Sequence, residues 1–250
     1  MRLFGRDVPM ALSLAVWFLA WELVGRAQLS SIVPPFSAVL KTGFAVVQTE
    51  KFAAAAAITL RSYAIGMAFA LVVGVSLGVA MARVAPVGRI LGTWVNVFVS
   101  APISALVPIL MAVVGIGETT VVVTVFLFAV FVIVLDTRIG FEHADRSLLD
   151  MARSFGAGRV PLYRHVLLPG ALPEILAGVR LGAIRGVKGV VIGQLLVAII
   201  GVGELFELYS QHFLMEEFWA LVLVVFAFAA LVSEGVGWLE RRVEHYAATR

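Results

Sequence analysis

The chain has 250 residues, 61% of them hydrophobic and 14% charged, with a mean hydropathy of +1.02. A soluble domain carries about 25% charged residues, so a water-exposed globule is excluded and an integral membrane protein is implied. There is no cysteine, which removes disulfides, thiolate metal sites and cysteine nucleophiles. The net charge of +3 is spread between apolar runs and forms no stripe for nucleic acid.

A bilayer core needs ~20 apolar residues of helix, and the first candidate, 10–24, is at the lower limit. Arg2 and Arg6 make a basic n-region as in a signal peptide. No small-x-small cleavage site follows, and Trp17 and Trp21 suit an interfacial anchor, so the expectation is an uncleaved signal anchor. Segment 26–60 is not a span. "VPPFSAVL" predicts a stiff turn into a short interfacial helix, and "FAAAAAITL" a helical approach to the next span. Further candidate spans follow at 63–81, 90–114, 119–135, 175–200 and 218–238. This gives an all-α, polytopic chain of about six transmembrane helices, read as one domain over 1–250.

Charge sets the orientation. With the N-terminus inside, the cytoplasmic segments hold Arg2, Arg6, Arg83, Arg89, Arg138, Arg146, Arg153, Arg159, Arg164, Arg180, Arg241, Arg242 and Arg250. The outer segments hold only Arg26, Lys41, Lys51 and Arg61, and the last outer loop carries Glu204, Glu207, Glu216 and Glu217. The excess of basic residues inside puts both termini in the cytoplasm.

The one long polar segment lies between spans four and five, at about 138–173. In "ADRSLLDMARSFGAG", Leu148, Met151, Ala152 and Phe155 recur at helical spacing, with Asp145, Arg146, Asp150 and Arg153 on the polar face and Gly156 and Gly158 ending the helix. On pattern alone this is equally an amphipathic helix resting on the membrane surface. The spacing of Asp150-Met151-Ala152, Gly156 and Val166-x-Leu168-Pro169 resembles the EAA loop of ABC importer permeases, with Asp for Glu, Met for the first Ala and Val for Ile as departures. "VPPFSAVL", "ALVPILMAVVGIGE", "DMARSFGA", "HVLLPGALPEILAGVRLG" and "GVGEL" are similar to segments of the nitrate, sulfonate and taurine importers, over roughly 33–240.

The resemblance implies a type I ABC importer permease fold in a bacterial inner membrane. It implies a coupling helix in which Leu148, Met151, Ala152 and Phe155 enter a groove on a separate ATPase, with Asp150 and Arg153 at the rim. Gly156 would permit the tight turn, and Pro169 would close the motif. It also implies partners: two ATP-binding subunits, a second permease copy or sister permease, and a periplasmic substrate-binding protein. No ATP site is expected in this chain. "GAIRGVKGV" lacks the P-loop spacing and has no Ser or Thr after its lysine, so ATP and magnesium belong on the partner. His143, His165, His212 and His245 are scattered, no metal cluster stands out, and the chain is not expected to be an enzyme.

"LGAIRGVKGVVIG" carries the remaining question. At ~100° per residue, Gly178, Gly182, Gly186, Gly189 and Gly193 fall within ~40° of one line, a stripe suited to close helix packing in membranes. Arg185 and Lys188 lie ~60° and ~120° from it on one side. A charge at mid-membrane costs ~2.5–3.5 kcal/mol even on lenient scales, so neither is expected to face lipid. Either they line a path for an anionic solute, or they pair with acids such as Asp136 or Glu118, or with a partner. Gln194, opposite Arg185, is a polar contact on the path or a helix–helix hydrogen bond. The related importers usually have Trp near Lys188 and Ala-Glu near Gly193-Gln194, and this chain departs at both. An ion-driven secondary transporter is the rival class, but no inverted repeat stands out and most acids lie in loops. A non-transporting scaffold has no use for two mid-span cations.

Overall fold

In the computed structural model the described residues are 2–3, 6–7, 10–28, 30–143 and 146–248, with side chains described for 12–28, 30–143, 147–158 and 160–238. Among the described residues the regular structure is helical apart from Arg2–Leu3 and Arg6–Asp7, which pair as a two-residue antiparallel ladder ahead of the first helix. That helix, α1 (Met10–Arg26), has 17 residues, or ~26 Å, just short of a ~30 Å hydrocarbon core. Pro34 and Pro35 then fix the entry to α2 (Phe36–Val47), the short interfacial helix expected there. Glu22 of α1 accepts from the Ser37 backbone N–H and hydroxyl, each at 2.9 Å, and so serves the otherwise unpaired first turn of α2. Trp21 donates to the Pro34 carbonyl at 3.1 Å and Trp219 to the Ile32 carbonyl at 2.8 Å. Both indole N–H groups are thus satisfied by backbone carbonyls of the segment that leads into α2.

The next helix, α3 (Glu50–Arg83), begins at Thr49, whose hydroxyl accepts the Phe52 N–H at 3.2 Å. The alanine run carries it unbroken into the membrane, so the expected span at 63–81 is the inner part of a helix ~51 Å long. After Val84, α4 (Ala85–Ser100) runs back. The single span expected at 90–114 is broken. Pro102 lacks an N–H and forces Ala101 out of the helical region, to φ −71, ψ 146. A short 3₁₀ turn, Ile103–Leu106, then leads into α5 (Val107–Val114), bent by 95° from α4.

The bundle is centred on α6 (Glu118–Glu142). After the long polar loop, α9 (Leu168–Val197) starts seven residues before the expected span at 175 and stops three short of 200. Ala198, at φ 55, ends it, and α10 (Gly201–Gln211) leaves at 52°. The chain closes with α11 (Met215–Ala248). Among the described residues, α3, α6 and the 215–238 part of α11 can each cross a membrane alone, and each bent pair gives one more crossing. That makes up to five crossings against the six expected, α1 being too short to count as one.

Glycines set the packing. A Cβ on Gly66, Gly74 or Gly78 of α3 would strike Val125, Ile133 or Thr137 of α6, a parallel register. A Cβ on Gly178, Gly182, Gly189 or Gly193 of α9 would meet Asp136, Ile133, Val125 or Phe128, and Thr124 or Val121, an antiparallel one. Gly186 instead faces Met67 and Tyr63 of α3. Ile133, fully buried, thus sits between glycines of two helices. Such clefts let backbones approach in a bilayer, where lipid gives no hydrophobic drive for helix association. Gly182→Leu is expected to overpack Ile133 by ~1–3 kcal/mol and lower the Tm in detergent by roughly 2–12 °C. Gly235→Leu, with nothing within 4 Å, is expected to leave it unchanged.

Candidate functional sites: a loop helix and a charged cavity

The loop between α6 and α9 contains α7 (Arg146–Ser154), α8 (Arg159–Leu162) and a π-helical turn, Tyr163–Leu167. Asp145 and the Arg146 side chain lie outside the described residues. Gly156 sits at φ +79, where a Cβ is strained. Its N–H bonds the Arg153 carbonyl at 2.9 Å and that of Ala157 the Ala152 carbonyl at 3.0 Å, the paired bonds of a Schellman cap. Leu148, Met151 and Phe155 are exposed at 46, 53 and 85%, and Ala152 is half-buried beside them. Asp150 and Arg153 pair at 3.1 Å on the exposed surface.

The helix is held from its other side. Leu149, not its neighbour Leu148, packs toward the cluster of Phe141, Leu167, Ala171 and Ile175. Tyr163 stacks on Phe141 with centroids 5.7 Å apart, and the Arg83 guanidinium lies 4.8 Å from its ring centre. The loop is therefore tied to the ends of α3 and α6. Pro169 lies in the first turn of α9. Leu149, Tyr163 and the contact made by Arg83 were not foreseen from the sequence. An aromatic before the Leu-Pro pair was a visible signal for one of them, but its partners are remote in sequence.

Arg185 and Lys188 face a cavity of about 360 Å³ at the Pro102 break. Its other walls are Val99, Ala101, Ile103, Ser104, Phe128 and Ile192. Arg185 is half-buried and Lys188 exposed. Among the described residues neither makes a hydrogen bond or ion pair. Glu118, one acid considered as their partner, is engaged instead by Arg61 through two hydrogen bonds and by the Ser62 hydroxyl at 3.2 Å. Asp136 packs against Gly178, ~10 Å down α9 from Arg185, and interacts with it only through space.

Residues 70–245 match the family model described as binding-protein-dependent transport system inner membrane component. The chain belongs to this family. The permease is 28% identical to the taurine transport system permease protein TauC of Escherichia coli (strain K12), over 95% of this chain and 90% of that one. It is 30% identical to the glycine betaine/carnitine/choline transport system permease protein OpuCD of Bacillus subtilis (strain 168), over 70% of this chain and 77% of that one. In fold it is similar to a chain of the inward-facing MetNI methionine ABC transporter, with a TM-score of 0.63 at 22% identity, covering 74% of this chain and 93% of that one. The permease thus has the type I ABC importer permease fold and is a multi-pass inner-membrane component of an importer of the nitrate, sulfonate and taurine type.

Within the permease, Gln194 is not part of the charged cavity. It lies on the opposite face of α9 and is buried, at 1% exposure. The Thr59 hydroxyl lies 2.9 Å from both the Gln194 Oε1 and the Ala55 carbonyl, and accepts the Val202 N–H at 3.1 Å. A Cβ on Gly203 would come within 2.2 Å of the Gln194 carbonyl oxygen, so only glycine lets α10 turn back this closely. Gln194 is a helix–helix contact fastening α9 to α3 at the α10 bend, the second of the two roles open to it from the sequence, and the structure does not place it on the cavity offered as the solute path.

Proposed function

We propose that this permease forms the path for a small anionic solute and is driven by a separate ATPase that docks on α7. The observation that carries the ATPase reading is the outward stripe of Leu148, Met151 and Phe155 on a capped helix whose opposite side is tied to the bundle. A short helix with such a face suits helix-in-groove recognition. ATP and magnesium then sit on two ATP-binding subunits, and this chain does no catalysis. A second permease copy or sister permease completes the membrane unit, a periplasmic binding protein delivers the solute, and both termini are cytoplasmic. TauC is named for an amino-sulfonate and OpuCD for quaternary-ammonium solutes. The two unpaired cations of the cavity support the anion.

Co-purification tests the docking. An aspartate at 156 must adopt the left-handed conformation that Gly156 holds, at ~1–2 kcal/mol, and adds a charge beside Phe155. Tagged wild-type permease is expected to bring down one ATPase, and Gly156→Asp to lose most of it. Retention of the ATPase by Gly156→Asp at the wild-type level would remove α7 as its docking element.

A further inference from the structure

We infer that the cavity at the Pro102 break selects an organic anion that carries no positive group, and so discriminates against both zwitterionic and quaternary-ammonium solutes. This rests on the proposed solute path and names its specificity.

Arg185 and Lys188 are three residues apart on α9, ~4.5 Å along its axis, and both face the same cavity. Neither is neutralised by a hydrogen-bonded acid, and no Asp or Glu is among the lining residues. Ser104 is exposed at the same break and its hydroxyl makes no hydrogen bond among the described residues. It adds a neutral donor for an anionic oxygen. The rest of the wall is apolar, with Val99, Ile192 and the Phe128 ring placed to cover a short carbon chain. The volume lies at the low end of the ~300–1,000 Å³ typical of small-molecule sites.

The same wall is wrong for a cation. A quaternary ammonium is held by several aromatic faces, and Phe128 is the one aromatic ring in the lining. A zwitterion of two or three carbons would place its ammonium within a few ångströms of Arg185 or Lys188, with no carboxylate to receive it. A site with a fixed charge rejects a like charge by repulsion as well as by the missing partner.

The test uses the full chain in lipid nanodiscs at low ionic strength, with ethanesulfonate, 2-aminoethanesulfonate and choline as probes in ligand-observed NMR. Ethanesulfonate is expected to bind saturably, at least tenfold tighter than 2-aminoethanesulfonate, with choline not binding. Arg185→Gln/Lys188→Gln is expected to weaken ethanesulfonate at least tenfold. Lys188→Glu places a carboxylate on an exposed position and is expected to bring 2-aminoethanesulfonate level with or above ethanesulfonate. That gain cannot come from misfolding. Equal binding of the anion and either other probe, absence of saturable ethanesulfonate binding, or an unchanged order in Lys188→Glu would each overturn the inference. The ATPase co-purification is read separately, so a failure here leaves the coupling proposal standing, and the reverse.

Discussion

Met151→Asp combined with Phe155→Asp is expected to abolish uptake in cells expressing the complete transporter, with the permease still inserted at its normal level. Both side chains point away from the bundle, so the substitutions leave the core of Phe141, Leu167, Ala171 and Ile175 untouched. The cost to α7 itself is a few tenths of a kcal/mol of helix propensity at Met151, and Phe155 lies just past its last residue. At a docked interface the balance is different. Each apolar side chain contributes ~1.5–3 kcal/mol on burial, and two carboxylates would have to be desolvated in their place. A loss of ~3 kcal/mol or more weakens docking over a hundredfold. Asp150→Ala is the contrast. Its pair with Arg153 is solvent-exposed, exposed pairs contribute ~0–1 kcal/mol, and uptake is expected to stay within about twofold. Normal uptake by the double variant, measured with expression checked, would show that the stripe faces no ATPase.

Much of this arrangement was legible in the sequence because it repeats. Hydropathy marks the crossings, the period of Leu148, Met151 and Phe155 marks the exposed face of α7, and the glycine spacing marks the packing side of α9. Reading 90–114 as one span let hydropathy override Pro102, although a Ser-Ala-Pro run inside an apolar segment is a break signal. The matching stripe on α3, Gly66, Ala70, Gly74 and Gly78, has the small-xxx-small period and was overlooked beside the more conspicuous one on α9. Other features left no local signal. Gln194 reads as polar on a helix wheel, but its role depends on Thr59, 135 residues away. Whether Arg185 is paired depends on what α6 sets opposite it, and Glu118 stands at the far end of the α6–α9 contact, held by Arg61. A wheel gives the direction of a side chain; only the tertiary fold gives what stands opposite.

Tyr163→Ala is expected to separate docking from transport. Tyr163 is where the loop meets the two helices it would have to move: its ring stacks on Phe141 of α6 and carries the Arg83 guanidinium of α3. It also opens a π-helical turn, an irregularity common at functional positions. The α7 face proposed to meet the ATPase lies elsewhere, so co-purification is expected to remain within about twofold. What alanine removes is a stacked pair worth ~0.5–1.5 kcal/mol and a cation–π contact of ~0.5–2 kcal/mol. Coupling energies between sites are commonly ~1–3 kcal/mol, so losing this joint should lower uptake roughly 5–150-fold while ATP hydrolysis continues. Tyr163→Phe keeps both ring contacts, and the Tyr163 hydroxyl makes no hydrogen bond, so this variant should transport normally. Arg83→Gln, which leaves the stack but removes the cation, should fall between the two. If Tyr163→Ala loses the ATPase as well, the ring shapes α7 for docking and does not link it to the bundle. If uptake survives, motion passes through the Leu149 contact instead, and Leu149→Ala becomes the variant that uncouples.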